Sequence, residues 1–240
     1  MSRTSFHING VSMAAAILCI ALLGSCRDTS GPATVNPSMR DIATFTGNAS
    51  RGAVFTLQQA DDTTPVTLTA SAAIDAETYI PGSRVYIDYT PASGMPYTSG
   101  AITLNYIANI NTAELLALDM SQHTDWNATG VFLYSIWRTG PYINLHARLP
   151  YNPEPRKIAL VIDKNSMDAA EAHLYFMHVT KPEYDTFERD YFMSYDLREF
   201  LSGHTPHELV VHVNNTNLPT KEFRFTLTPL TFESLNQTNQ

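Results

Sequence analysis

The chain has 240 residues, 44% of them apolar, and carries 15 basic and 23 acidic side chains for a formal net charge of −8. That length and apolar content suit one large or two modest folded domains. The acidic balance, with no Lys/Arg cluster, excludes nucleic acid as a partner and direct electrostatic attraction to anionic headgroups.

The chain opens on Arg3 and an apolar run over residues 11–23 that only Ser12 interrupts. This is the order of an export signal and is shorter than the ~20 residues of a membrane-spanning helix. Leu23-Gly24-Ser25-Cys26 then resembles the lipobox of bacterial lipoproteins, in which the cysteine carries the lipid and becomes the first mature residue. Residues 1–25 therefore read as a lipoprotein signal peptide and Cys26 as the lipidation site, where several acyl chains make anchoring lasting. The expected location is the cell envelope, at the outer membrane; Asp28 alone does not choose its face. The second cysteine, Cys19, is an apolar residue of the signal, so the mature 215 residues fold without a disulfide and depend on their core.

Residues 26–39 are small, polar and proline-bearing and read as a flexible tether. Strand patterns begin beyond it, at 53–57, 66–69, 84–90 and 100–110, separated by Gly/Pro/Asp turn material. Val85, Ile87 and Tyr89 alternate against Arg84, Tyr86 and Asp88, as one buried face requires. This spacing predicts a small OB-like barrel over 40–114, because closure removes sheet edges. Seven further strands, at 131–137, 142–149, 157–163, 173–179, 191–197, 209–213 and 222–228, predict an antiparallel β-sandwich over 115–235. Short helical turns are expected at 113–118 and 197–201, and 236–240 is a polar tail. The fold class is all-β.

Several segments resemble the NigD-like lipoprotein family of Gram-negative anaerobes. Gly82-Ser83-Arg84-Val85-Tyr86-Ile87-Asp88-Tyr89 is similar to its Gly-x-Arg-Val-x-Val-x-Tyr strand, and Ile107-Ala108-Asn109-Ile110-Asn111-Thr112 to the segment closing the first domain, without the usual Leu-Thr-Lys ending. In the second domain Ile136-Trp137-Arg138-Thr139-Gly140-Pro141-Tyr142-Ile143-Asn144-Leu145 resembles the aromatic-glycine-tyrosine-leucine-asparagine strand pair. His173-Leu174-Tyr175-Phe176-Met177-His178 resembles a Phe-Arg-His segment with Met177 in place of arginine, and Phe192-Met193-Ser194-Tyr195-Asp196-Leu197 a Val-Ser-Phe-Asp-Leu strand. The resemblance implies an OB-like domain followed by a β-sandwich. It brings no catalytic residues, and an immunity role against a bacteriocin only through the family's name.

Chemistry-bearing motifs are sparse. His207 and His212 stand five apart in a β-branched run, whereas a zinc-binding His-Glu-x-x-His needs i and i+4 on one helical face. His173 and His178 differ by an odd number, so one strand cannot present both on one face. His204, His207, His173 and His178 could converge only through tertiary structure, and no metal or other cofactor is expected. There is no Gly-x-Ser-x-Gly and no phosphate cradle. Asp61-Asp62 and Glu183/Asp185 read as solvated turn acids; a glycan hydrolase, the third functional alternative, needs two carboxylates that spacing alone does not nominate. The aromatics offer more. Trp126, Tyr142 and Tyr151 are the candidate ligand-binding residues, suited to a sugar ring or a partner's apolar anchor, while Trp137 is expected to pack between the two sheets. The reading is a non-enzymatic binding module, tethered to the membrane by lipid, with a protein or glycan partner.

Overall fold

In the computed structural model, residues 37–60, 63–151, 157–180 and 187–227 are described, all within the unit Asn36–Gln240. Cys26, the export segment, Asp61-Asp62, Glu183, Asp185 and the polar tail lie outside them. Five strands, β1 (Met39–Ala49), β2 (Gly52–Leu57), β3 (Val66–Ala70), β4 (Arg84–Pro91) and β5 (Gly100–Asn109), close into a barrel in the order β1-β2-β3-β5-β4. The expected alternation holds: Val85, Ile87 and Tyr89 are fully buried inside with Ala43, Phe45, Phe55 and Leu68. β1 continues into β2 through a tight turn at Gly52, whose φ of +127° and closeness to Ala70 O (2.1 Å from a Cβ built there) leave no room for a side chain.

The sandwich has two sheets. One orders β14 (Glu222–Thr226), β13 (Glu208–Val213), β11 (Glu171–Val179), β10 (Lys157–Asp163) and β7 (Leu116–Leu118); the other orders β6 (Asn111–Glu114), β12 (Phe187–Asp196), β9 (Tyr142–Tyr151) and β8 (Phe132–Thr139). Between them lie Ile143, Leu145, Ala147 and Leu149 of β9, Met193 and Tyr195 of β12, and Leu160, Leu174, Phe176, Leu209 and Val211 from the facing sheet. Three pairings, β6–β12, β7–β10 and β11–β13, are parallel within this otherwise antiparallel arrangement.

Residues 113–118 are not a helical turn. The chain gives β6 to one sheet and β7 to the other, crossing at Leu115. Two open sheet edges offer the backbone hydrogen bonds that an isolated turn of helix would lack, so tertiary pairing overrides local propensity. Asn111–Glu114 thus pairs with the sandwich although the sequence range of the barrel reaches 114. The second expected turn forms as α1 (Arg198–Gly203).

Candidate functional site

Strand alternation leaves a second face on each of β4, β9 and β12, and the barrel meets the sandwich there. On the barrel the register aligns Thr44 with Arg84, Ile42 with Tyr86 and Arg40 with Asp88. On the sandwich it aligns Trp137–Asn144–Ser194, Ser135–His146–Phe192 and Phe132–Arg148–Asp190 across β8, β9 and β12. The two faces meet in three tiers, polar, aromatic and charged.

The polar tier is closed. Arg84, 8% exposed, donates from Nε to Ser194 Oγ (3.2 Å) and from its terminal nitrogens to Thr44 Oγ1 (3.0 Å) and Asn144 Oδ1 (3.1 Å). Ser194 Oγ donates to Asn144 Oδ1 (2.8 Å), and Asn144 Nδ2 to Thr139 Oγ1 (3.0 Å). The guanidinium lies 4.5 Å from the centre of the Tyr142 ring. None of its acceptors is a carboxylate, and burial lowers its pKa to about 10, so it stays charged at neutral pH.

The aromatic tier is a ladder of rings. Tyr86 packs on Phe192 (4.4 Å between centroids), Phe192 stacks on His146 (4.0 Å), His146 on Tyr134 (4.4 Å), and Tyr134 meets Phe132 (5.1 Å). Burial between rings lowers the His146 pKa, which keeps it neutral. The charged tier pairs within each domain: Arg40 Nε donates to Asp88 Oδ2 at 3.0 Å, and Arg148 Nε to Asp190 Oδ1 at 3.1 Å.

Above the closed tier the two faces part, leaving a groove of about 560 Å³. Arg40, Asp41, Gln59 and Tyr86 line it from the barrel, and Ser135, Trp137, His146, Asp190 and Phe192 from the sandwich. Asp41 shares the inner row of β1 with Met39, Ala43 and Phe45, and accepts a long bond from the Tyr89 hydroxyl (3.4 Å) at the barrel mouth. Desolvation raises its pKa to about 6.

Trp137 therefore does not pack between the sheets. A β-bulge between Leu133 and Ser135 shifts the register of β8 on β9, so Leu133 and Ile136 face the core and Ser135 and Trp137 turn outward. No residue type in that stretch announces the bulge, so alternation read from Val131 onward places the indole on the wrong side.

The three candidate aromatics occupy separate places. Tyr142 lies beneath Arg84, with Arg198 5.7 Å from the same ring. Tyr151 stacks on Phe187 (4.9 Å) at the far ends of β9 and β12. Trp126, half-buried, packs at 5.0 Å against Tyr175 on the outer face of the other sheet, where Met120, Val161 and Met177 form a small core of their own. There, too, His173 Nδ1 and His212 Nε2 share a hydrogen bond of 2.9 Å, a pairing of neighbouring strands that spacing within one strand cannot show. His204 instead bonds Asp168 (2.8 Å). Among the described residues no three His, Cys, Asp or Glu side chains gather as a metal site would require.

No protein-family model matches the chain, and no curated protein sequence does. Solved structures do. A protein of unknown function from Bacteroides vulgatus aligns over 82% of this chain and 93% of its own length, at 17% identity and TM-score 0.58. A NigD-like immunity protein from Bacteroides caccae aligns over 79% of this chain and 97% of its own, at 12% identity and TM-score 0.52. A protein from Bacteroides fragilis provisionally named a lipoprotein aligns over 80% and 96%, at 14% identity and TM-score 0.50. At such identities the likeness is one of fold. The chain has the fold of a NigD-like immunity protein, the architecture its motifs imply.

Proposed function

We propose that this chain is a cell-envelope lipoprotein, tethered at Cys26, whose folded part binds a ligand in the groove between barrel and sandwich without converting it. The observation carrying this reading is that both domains contribute side chains to one open cleft above a closed, hydrogen-bonded base. Ligand sites concentrate at such junctions. Chemistry is poorly served there. Asp190 is ion-paired to Arg148, and Asp41 is turned toward Tyr89 inside the barrel mouth. The His146 ring is held between Tyr134 and Phe192 with Nε2 buried and unbonded among the described residues, a poor position for moving a proton.

The name of the Bacteroides fragilis neighbour supports envelope attachment, as does the order of residues around Cys26. Cys26→Ser should move the protein from the membrane fraction to the soluble fraction; unchanged membrane retention overturns the anchoring. For the groove, hydrogen exchange of the intact protein with and without envelope extract should show added protection in β4, β8 and β12. Protection confined to other strands, or none, overturns the groove as the binding site. A second reading, immunity against a bacteriocin, has the fold likeness to the Bacteroides caccae protein behind it. Expression in a sensitive strain without any gain in resistance counts against it.

A further inference from the structure

We infer that the groove takes a neutral glycan chain, with a sugar ring lying on the Trp137 indole and its hydroxyls bonded to the planar polar side chains around it. This rests on the binding reading above. Three observations favour a polyol over other ligands.

The first is the state of the rings. Tyr86 packs at a tilt on Phe192 and Phe192 stacks on His146, forming a wall whose faces are occupied. Trp137, half-buried in the same groove, stacks on no other ring among the described residues. An indole with a polar surround offers a flat apolar surface, which suits the C–H face of a pyranose.

The second is charge. The guanidinium of Arg40 and the carboxylate of Asp190 border the groove, but each already has an opposite partner within its own domain. Both pairs are solvent-exposed and cancel, and Asp41, the remaining charged lining residue, is turned toward the Tyr89 hydroxyl, so the groove offers little net charge to draw in a polyanion or polycation. A neutral polyol needs none. The outer edges of Arg40 and Asp190, with the Gln59 amide and the Ser135 hydroxyl, offer donors and acceptors of the kind that vicinal hydroxyls use.

The third is what the groove floor lacks. Extended peptides are commonly held by pairing with a sheet edge. The floor here centres on β9, whose backbone groups are bonded to β12 on one side and β8 on the other. Recognition therefore falls to side chains. The ring ladder continues outward to the exposed Tyr134 and Phe132, 39% and 37% accessible, which suits a chain of sugars better than a single one.

The test is affinity electrophoresis of the purified full chain in detergent, through gels containing dextran, xylan, mannan or laminarin, with polygalacturonate and polylysine as charged counterparts. At least one neutral polysaccharide should retard the protein. Trp137→Ala should weaken that retardation about tenfold, Trp137→Tyr should retain most of it, and Trp126→Ala, on the other sheet, should leave it unchanged. Folding of each variant is checked by circular dichroism. No retardation by any neutral polysaccharide, retardation only by a charged polymer, or retardation that survives Trp137→Ala overturns the inference. If envelope extract protects the groove from exchange while the neutral polysaccharides do nothing, the glycan assignment falls and the binding reading stands. If neither has an effect, both fall.

Discussion

Asp41 sits among barrel-core residues where an apolar side chain would be expected, and among the described residues only a long hydrogen bond from Tyr89 offsets its burial. Its pKa is raised from 3.8 to about 6. Below about pH 3 the carboxyl is protonated in both folded and unfolded chains and costs nothing. As pH rises toward 6 the unfolded chain ionises first, so folding stability falls, and above about 6 the whole cost is present. That cost is at most about 3 kcal/mol, at 1.36 kcal/mol per pKa unit. Asp41→Asn keeps an acceptor for Tyr89 and removes the charge. It should raise stability by about 1–3 kcal/mol at pH 7.5, leave it nearly unchanged at about pH 3, and abolish the decline between the two. Urea denaturation across that range checks this; Tyr97, Tyr86, Arg40, His146 and Asp190 are the other ionisable groups nearby, and a decline that persists in the variant assigns the effect to them. An unoffset carboxyl beside the groove is a cost kept at the position where function would retain it.

At the scale of the element, β8 explains both how the site is built and why it was hard to read. It is the edge of its sheet, and its bulge turns Trp137 and Ser135 toward the barrel. The edge is not left open. Leu133 N–H donates to Asn217 Oδ1 and Asn217 Nδ2 donates to Leu133 O, both at 2.9 Å, so one amide side chain imitates a neighbouring strand. Val131 N and O bond the backbone of Asn214 and Thr216 alongside. Asn217→Ala should leave both Leu133 groups without that partner, cost about 1–3 kcal/mol, and expose an edge that promotes association. Chemical denaturation and light scattering measure the two effects, and unchanged values in both would show that the clamp contributes nothing. The strands themselves were legible because Val85/Ile87/Tyr89 and Ile143/Leu145/Ala147/Leu149 alternate without interruption, as core burial on one face demands. What alternation cannot tell is whether the other face meets water or a second domain. Arg84, Tyr86, Asn144 and His146 read as solvent-facing by pattern, yet they form the junction. A bulge, a clamp at 84 residues' separation and a His173–His212 contact between strands leave no local trace in sequence.

For the whole molecule, the shape of the groove depends on how firmly its base is closed, and Arg84 is the centre of that closure. One guanidinium bridges Thr44 of its own barrel to Ser194 and Asn144 of the sandwich while lying over Tyr142. Its geometry uses three separate donors, which an ammonium on a flexible stem cannot place at once. Arg84→Lys should therefore cost about 1–2 kcal/mol, and Arg84→Ala about 2–4 kcal/mol through lost packing and lost charge-assisted bonds. The distinguishing readout is cooperativity. With the base intact, barrel and sandwich should unfold in one calorimetric transition; in Arg84→Ala the barrel should melt separately, and exchange should speed up in β4 and in the Asn144 and Ser194 region before the sandwich core responds. Arg84→Met supplies comparable volume without charge. If it restores stability but not the single transition, the hydrogen bonds couple the domains; if it restores both, packing alone does so. A single transition retained in Arg84→Ala would place the coupling in the aromatic tier, between Tyr86 and Phe192, and Phe192→Ala would then be the variant that divides the molecule.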